Sequence, residues 1–206
     1  MIELYPGASH LPGCLPPREQ RDLLDRCLEL GARPAGFYTP VVRGASPMRL
    51  EMCCLGRHWN ARTYTYDTIR SDHDRLPVQP LPPELGDLAR RIAAEAGMRI
   101  DPDICLINRY TASGRLGLHQ DRDERPETIA AGIPIVSISL GDSAIFRVGG
   151  LDRREPLREI TLASGDGLVM GGPSRLRYHG IKQVLAGTAP PALGFEGRVN
   201  LTFRQY

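Results

Sequence analysis

The chain changes texture near residue 104, and that change constrains its fold more than anything else in it. From Ile104 onward no helical period survives. Short alternating runs are separated by the breaks Gly149-Gly150, Ser164-Gly165-Asp166-Gly167 and Gly171-Gly172. The runs read as strands over Ile104–Tyr110, Arg115–Asp121, Ile135–Leu140, Ala144–Val148, Leu157–Leu162, Leu168–Met170, Arg175–Tyr178 and Arg198–Arg204. Eight short strands in just over a hundred residues indicate a double-sheet jelly roll, a mostly β fold with flanking helices.

The helices come first. Pro17-Arg18-Glu19 opens one, Leu24, Cys27 and Leu28 keep its spacing, and Gly31 is expected to stop it. A second starts at Pro82-Pro83-Glu84 and ends at Gly97, with Leu85, Leu88, Ala89, Ile92, Ala93 and Ala96 on the side that packs against a sheet. Between them, residues 33–80 show no steady period. Arg43, Arg49, Arg57, Arg62 and Arg70 are interleaved there with Phe37, Tyr38, Trp59, Tyr64 and Tyr66, and Thr63-Tyr64-Thr65-Tyr66 reads as one strand of a hairpin. Such interleaving suits a surface that grips phosphates and stacks bases, and equally an arginine-rich loop. The 206 residues suffice for one structural domain, with residues 1–103 packed on a core of residues 104–206.

Composition narrows the setting. Twenty-six basic against twenty-four acidic residues give a net charge of only +2, so any nucleic-acid surface has to be a local patch. Ile129–Phe146 is too broken by Gly, Pro and Ser to cross a membrane, and the opening MIELYPGASHLPG lacks the basic and apolar regions of a secretion signal. Cys14, Cys27, Cys53, Cys54 and Cys105 are odd in number and lack metal-finger spacing, as free thiols in a reducing compartment would. A cytoplasmic monomer without a membrane partner is expected.

Chemistry concentrates in Asn108–Glu124, NRYTASGRLGLHQDRDE. If Gly114–Asp121 runs as a strand, alternation places His119 and Asp121 on one face, where both can hold one metal ion. A third ligand must come from elsewhere; His179 is best placed, with His58 and His73 in reserve. Two histidines and one carboxylate with open positions opposite are the pattern of non-haem Fe(II) oxygenases. In the last strand, period two puts Val199, Leu201 and Phe203 on one face and Arg198, Asn200, Thr202 and Arg204 on the other. Two guanidinium groups and an amide make a seat for a small dicarboxylate, and Asn108 and Tyr110 share a face that can serve the same ligand. An iron site beside a dicarboxylate seat is what a 2-oxoglutarate-dependent oxygenase needs.

The runs Cys105–Tyr110, Leu118–Asp121 with Asp123-Glu124, Pro134–Gly141, Ser174-Arg175-Leu176 with Tyr178-His179-Gly180, and Asn200–Gln205 closely resemble the AlkB family of Fe(II)/2-oxoglutarate dioxygenases, which repair alkylated DNA bases. The resemblance covers roughly the C-terminal half. It implies a double-stranded β-helix preceded by a nucleotide-recognition lid. It also implies Fe(II) and O2 at His119, Asp121 and His179, the catalytic centre, and 2-oxoglutarate held by Asn108, Tyr110, Arg198, Asn200 and Arg204, with Arg204 on the distal carboxylate. Asp123 would sit beside the target base, Arg153 near the nucleic acid, and Trp59 or Tyr64 would stack on the base. The implied reaction couples decarboxylation of 2-oxoglutarate to hydroxylation of an N-methyl group and release of formaldehyde. Its substrates would be 1-methyladenine and 3-methylcytosine in single- or double-stranded DNA, with RNA as a second polymer. A protein or small-molecule substrate for the same chemistry is the alternative.

Overall fold

Strand alternation decides how the layers stack. In strand β13 (Arg198–Arg204), Val199, Leu201 and Phe203 enter a core shared with helices α1 (Pro17–Ala32) and α2 (Pro83–Glu95), where Leu24, Cys27, Leu30, Leu85, Ala89 and Ile92 meet them. The same alternation in β6 (Ile104–Tyr110) sends Cys105 and Ile107 to the helices and Ile104, Leu106 and Tyr110 to a second core between two sheets. The result is three layers: helices, major sheet, minor sheet. The computed structural model describes every residue except Arg43, Ala45, Thr111 and Ala112, so Arg43 of the basic run lies outside the described residues.

The major sheet has seven strands in the order β1-β2-β11-β8-β13-β6-β3. Three of them come from the first part of the chain: β1 (Ile2–Tyr5), β2 (Ala8–Leu11) and β3 (Glu51–Leu55). The others are β6, β8 (Ile135–Gly141), β11 (Gly167–Met170) and β13. The minor sheet runs β10-β9-β12-β7, from β7 (Leu116–His119), β9 (Ser143–Val148), β10 (Arg158–Leu162) and β12 (His179–Leu185). All pairings within both sheets are antiparallel. A separate hairpin, β4 (His58–Asn60) with β5 (Thr65–Asp67), follows β3, and a short helix, α3 (Pro126–Ala130), follows the H-x-D segment.

The expected strands at Ile104–Tyr110 and Arg198–Arg204 have those bounds in the structure, and the jelly roll is present. Others are corrected. Residues Arg175–Tyr178 are not a strand: a 3-10 turn over Gly172–Ser174 and the segment after it round a corner, and the strand begins at His179. Gly31 does not stop α1, which runs on to Ala32. A Cβ at Gly31 would lie 1.9 Å from the Phe37 ring, so this glycine admits an aromatic side chain to the helix surface. Arg70 is not part of a basic surface either; it is buried over the Tyr38 ring at 4.6 Å and pairs with Asp74. Cys14, Cys27, Cys53, Cys54 and Cys105 are free thiols, all but Cys14 buried. Among the described residues no helix is long and apolar enough to cross a membrane.

Candidate active site

Cross-strand pairing builds the centre. His179 at the start of β12 sits opposite His119 at the end of β7, and their rings lie 4.5 Å apart between centroids. The close approach of these strands requires Gly180, where a Cβ would lie 2.6 Å from the carbonyl oxygen of Leu116. Asp121 lies just past the end of β7 rather than inside a strand, and its backbone carbonyl accepts from buried Arg175. It still turns inward: Oδ1 is 3.4 Å from His119 Nε2, and Oδ2 is 3.4 Å from His179 Nε2. Each histidine uses Nδ1 on a backbone carbonyl 2.9 Å away, Gly117 for His119 and Arg177 for His179. With Nδ1 as donor, both Nε2 lone pairs face the carboxylate. Three lone-pair donors within 4.8 Å of one another fit a single cation.

The second half of the site lies on the neighbouring strands. His119, Asp121 and His179 line one pocket with Asn108, Tyr110, Arg198, Asn200 and Arg204, so every residue expected at the metal or the dicarboxylate meets there. The two arginines differ in what they touch. Arg204 gives Nη2 to Asp121 Oδ1 at 2.6 Å and Nη1 to Glu124 Oε1 at 3.0 Å and to Tyr66 Oη at 2.7 Å. Arg198 is fully buried and, among the described residues, hydrogen-bonds only neutral oxygens: Ser139 Oγ at 2.7 Å and the carbonyls of Asp142 at 3.1 Å and Leu162 at 3.3 Å. Burial without a carboxylate contact holds the Arg198 guanidinium down to about 10. Burial alone would raise the Asp121 carboxyl, but the Arg204 guanidinium holds it well below the usual range. Asn108 Oδ1, Arg198 Nε and Arg204 Nε are buried with no partner among the described residues, polar atoms that a bound dicarboxylate and its water would satisfy. The donor set and these orphaned groups fit Fe(II) and 2-oxoglutarate.

Glu124 escaped the sequence reading. Its fully buried carboxylate is shared by Arg204 and by Arg175 Nη2 at 2.8 Å, so Asp121, Arg204, Glu124 and Arg175 form one continuous charged row. The signal was an acidic residue three positions after Asp121. Among the expected substrate residues, Trp59 on β4 donates Nε1–H to Asp123 Oδ2 at 2.8 Å, and Tyr64 packs edge-on to Trp59 at 6.1 Å. Burial pushes the Asp123 carboxyl up against the opposing pull of Trp59. Tyr64 occupies the hairpin turn with φ +59° and is exposed. Arg153 is exposed in the loop between β9 and β10, with its guanidinium 5.8 Å from the Tyr178 ring. The reserve ligands are elsewhere: His58 is buried against Asp72, and His73 stacks on Tyr38.

Comparison with known proteins agrees with this geometry. The model of the 2OG-Fe(II) oxygenase superfamily matches residues 7–204. The alpha-ketoglutarate-dependent dioxygenase AlkB of Escherichia coli is 45% identical over 178 residues, covering 84% of this chain and 79% of that protein. The chain belongs to the AlkB family. Its cofactors are those of the superfamily, Fe(II), 2-oxoglutarate and O2. The DNA N(6)-methyladenine demethylase ALKBH1D of Arabidopsis thaliana is 42% identical over 226 residues, covering 98% of this chain and 50% of that protein. This chain therefore spans about half the length of that plant relative. Its structure is similar to the solved structure of OsALKBH1, with a TM-score of 0.93, 35% identity and coverage of 100% and 99% of the two chains.

Proposed function

We propose that this protein is an oxidative demethylase of alkylated nucleobases. The observation that carries the reading is the convergence of His119, Asp121 and His179 with a buried, carboxylate-free arginine in one pocket, under a hairpin that reaches across to Asp123. The names of the relatives support the substrate class: one acts on DNA N(6)-methyladenine, and a human relative is a nucleic acid dioxygenase. When bound, Fe(II) with 2-oxoglutarate and O2 supplies the oxidising power that hydroxylates an N-methyl group.

The chain's own residues do the rest. His119, Asp121 and His179 would hold the metal, and the carbonyls of Gly117 and Arg177 fix which imidazole nitrogen is left for it. Arg204 neutralises Asp121 and aligns its carboxylate, and its remaining contacts to Glu124 and Tyr66 leave it poorly placed for a distant carboxylate. We therefore assign the distal carboxylate of 2-oxoglutarate to Arg198 in place of Arg204, with Asn108, Tyr110 and Asn200 around the molecule. The methyl group must come to the metal, so the base leaves its stack, and a base that cannot pair costs less to extrude. The β4–β5 hairpin, with Trp59 and Tyr64, forms the lid over that base. Asp123, held by Trp59, offers a carboxylate to a base made cationic by methylation at N1 of adenine or N3 of cytosine. Arg153, beside Tyr178, meets the phosphate backbone from the other side.

The test incubates purified protein with Fe(II), 2-oxoglutarate, ascorbate and single-stranded DNA carrying 3-methylcytosine, 1-methyladenine or N6-methyladenine. Mass spectrometry should show loss of one methyl from at least one lesion, with succinate formed in proportion. Turnover of 2-oxoglutarate with no change in any DNA or matching RNA oligonucleotide would move the substrate to a protein or small molecule.

A further inference from the structure

Beyond the pocket, one cationic cluster remains unassigned. Arg57, at the entry to the β4–β5 hairpin, places its guanidinium carbon 4.3 Å from the centroid of the Tyr206 ring. Arg125, which follows Glu124 and caps α3, places its own 4.9 Å from the same centroid. Two like charges drawn to one ring repel each other. Their acids are few: among the described residues Arg57 pairs through Nε with Asp103 at 3.7 Å, and Arg125 has no carboxylate partner. The ring sits against both guanidinium groups, and their terminal nitrogens, which recognise phosphate two bonds at a time, make no hydrogen bond among the described residues.

Position gives the cluster its meaning. Tyr206 packs edge-on against Tyr66 at 5.8 Å, and the Tyr66 hydroxyl accepts from Arg204, which in turn holds Asp121. The pair of arginines therefore stands one layer outside the candidate metal centre, with one member on the hairpin and the other on the segment that carries Asp121 and Asp123. A carboxylate of 2-oxoglutarate already has Arg198 inside the pocket, so the outer pair is left for an anion that stays outside while something else enters. A polynucleotide whose base is turned into the pocket presents such an anion.

We propose that Arg57 and Arg125, mounted on Tyr206, form a clamp for one backbone phosphate of the strand whose base the pocket receives. This rests on the nucleic-acid reading above. The phosphate ties hairpin and metal-bearing segment together, so the clamp engages when a strand bridges both.

The experiment measures binding of an unmodified single-stranded oligonucleotide against salt concentration, which needs no turnover. One phosphate contact on a single strand contributes about 0.7 to the slope of log affinity against log salt. Arg57→Ala with Arg125→Ala together should flatten the slope by about that amount and weaken binding about tenfold at low salt. Because one phosphate is shared, each single substitution should give most of the loss, and the double should not reach twice 0.7. Tyr206→Phe keeps the ring and should keep the slope; Tyr206→Ala should behave like the arginine variants. Arg154→Ala, an exposed arginine paired with Asp152, serves as the control and should leave the slope alone. Thermal melts identify any variant that is not folded, and Arg57→Gln with Arg125→Gln then replaces the alanine pair. An unchanged slope in the folded double variant, an equal drop in Arg154→Ala, or no strand binding by the unaltered protein would each overturn the clamp. If the slope falls as expected while no lesion is demethylated, the clamp stands and the demethylase reading fails. Demethylation with an unchanged slope removes the clamp and leaves the demethylase reading standing.

Discussion

Arg198 and Arg204 stand six residues apart on one strand face with the same side chain and the same charge, yet their neighbours separate them. Arg204 spends both terminal nitrogens on Asp121, Glu124 and Tyr66, whereas Arg198 is fully buried among neutral oxygens. Arg198→Ala should therefore raise the dissociation constant for 2-oxoglutarate roughly ten- to a hundredfold, the value of about 1.5–3 kcal/mol for a charge-assisted contact, measured calorimetrically on the manganese-loaded protein. Arg204→Ala should instead lower stability by about 3–5 kcal/mol, because Asp121 and Glu124 lose a buried cation, and this is read in denaturant midpoints. The opposite pattern would return the distal carboxylate to Arg204. Asp121→Ala and His179→Ala should lose stoichiometric Fe(II) or Mn(II) binding while keeping the fold, since the helix-packed core does not involve these side chains; full metal occupancy in either would remove that residue from the centre. Asp123→Asn keeps the shape and an acceptor for Trp59 but removes the charge. It should slow repair of cationic 1-methyladenine and 3-methylcytosine more than that of neutral 3-methylthymine, in single-turnover assays. Equal slowing would leave Asp123 a positional role only.

Among the elements, α1 shows why a local signal can mislead. A glycine near the end of an amphipathic run is ordinarily a stop, and Gly31 reads as one. In the structure it faces Phe37, whose ring the Arg109 guanidinium covers at 4.5 Å. Alanine gains up to about 1 kcal/mol of helix propensity over glycine. The added methyl has to displace a ring held on both sides, an overpacking cost of about 1–3 kcal/mol. Gly31→Ala should thus be net destabilising; a rise in melting temperature would mean that Phe37 moves aside freely. Strands are more legible. Period two in Ile104–Tyr110 and Arg198–Arg204 told core from site because each pleat face is buried against a different layer. The segment Arg175–Tyr178 has the residues of a strand, but Ser174 and Arg177 spend their polar groups on the turn: the Ser174 hydroxyl donates to the Pro6 carbonyl and accepts from Arg177. No short-range pattern reveals a partner 168 residues away.

At the scale of the whole molecule, the first strands close the fold against its late turns. Asp166 between β10 and β11 accepts from Gly13 N at 2.8 Å, Ala163 N at 2.9 Å and His10 Nε2 at 2.9 Å. Burial would raise its carboxyl, but those hydrogen bonds hold it below the usual value. A carboxyl depressed in the folded state stabilises above its unfolded value, about 3.9, and that contribution is lost as pH falls through the lower folded value. Asp166→Asn should cost about 1–3 kcal/mol near neutral pH, and the gap to the unaltered protein should close on acidification below about pH 4, followed by urea unfolding. A gap independent of pH would mean that the charge contributes nothing. The sheet-rich core, the pairing of His119 with Asp121 and the polar face of the last strand are legible along the chain, because a period of two and an i,i+2 spacing are properties of neighbouring residues. Folding in space is what makes Glu124 and Arg175 complete the charged row, leaves Arg198 without the acid Arg204 has, and brings Arg57 and Arg125 together on Tyr206. Each of those depends on contacts between segments distant in the chain, and burial and Coulomb attraction are set by distance in space.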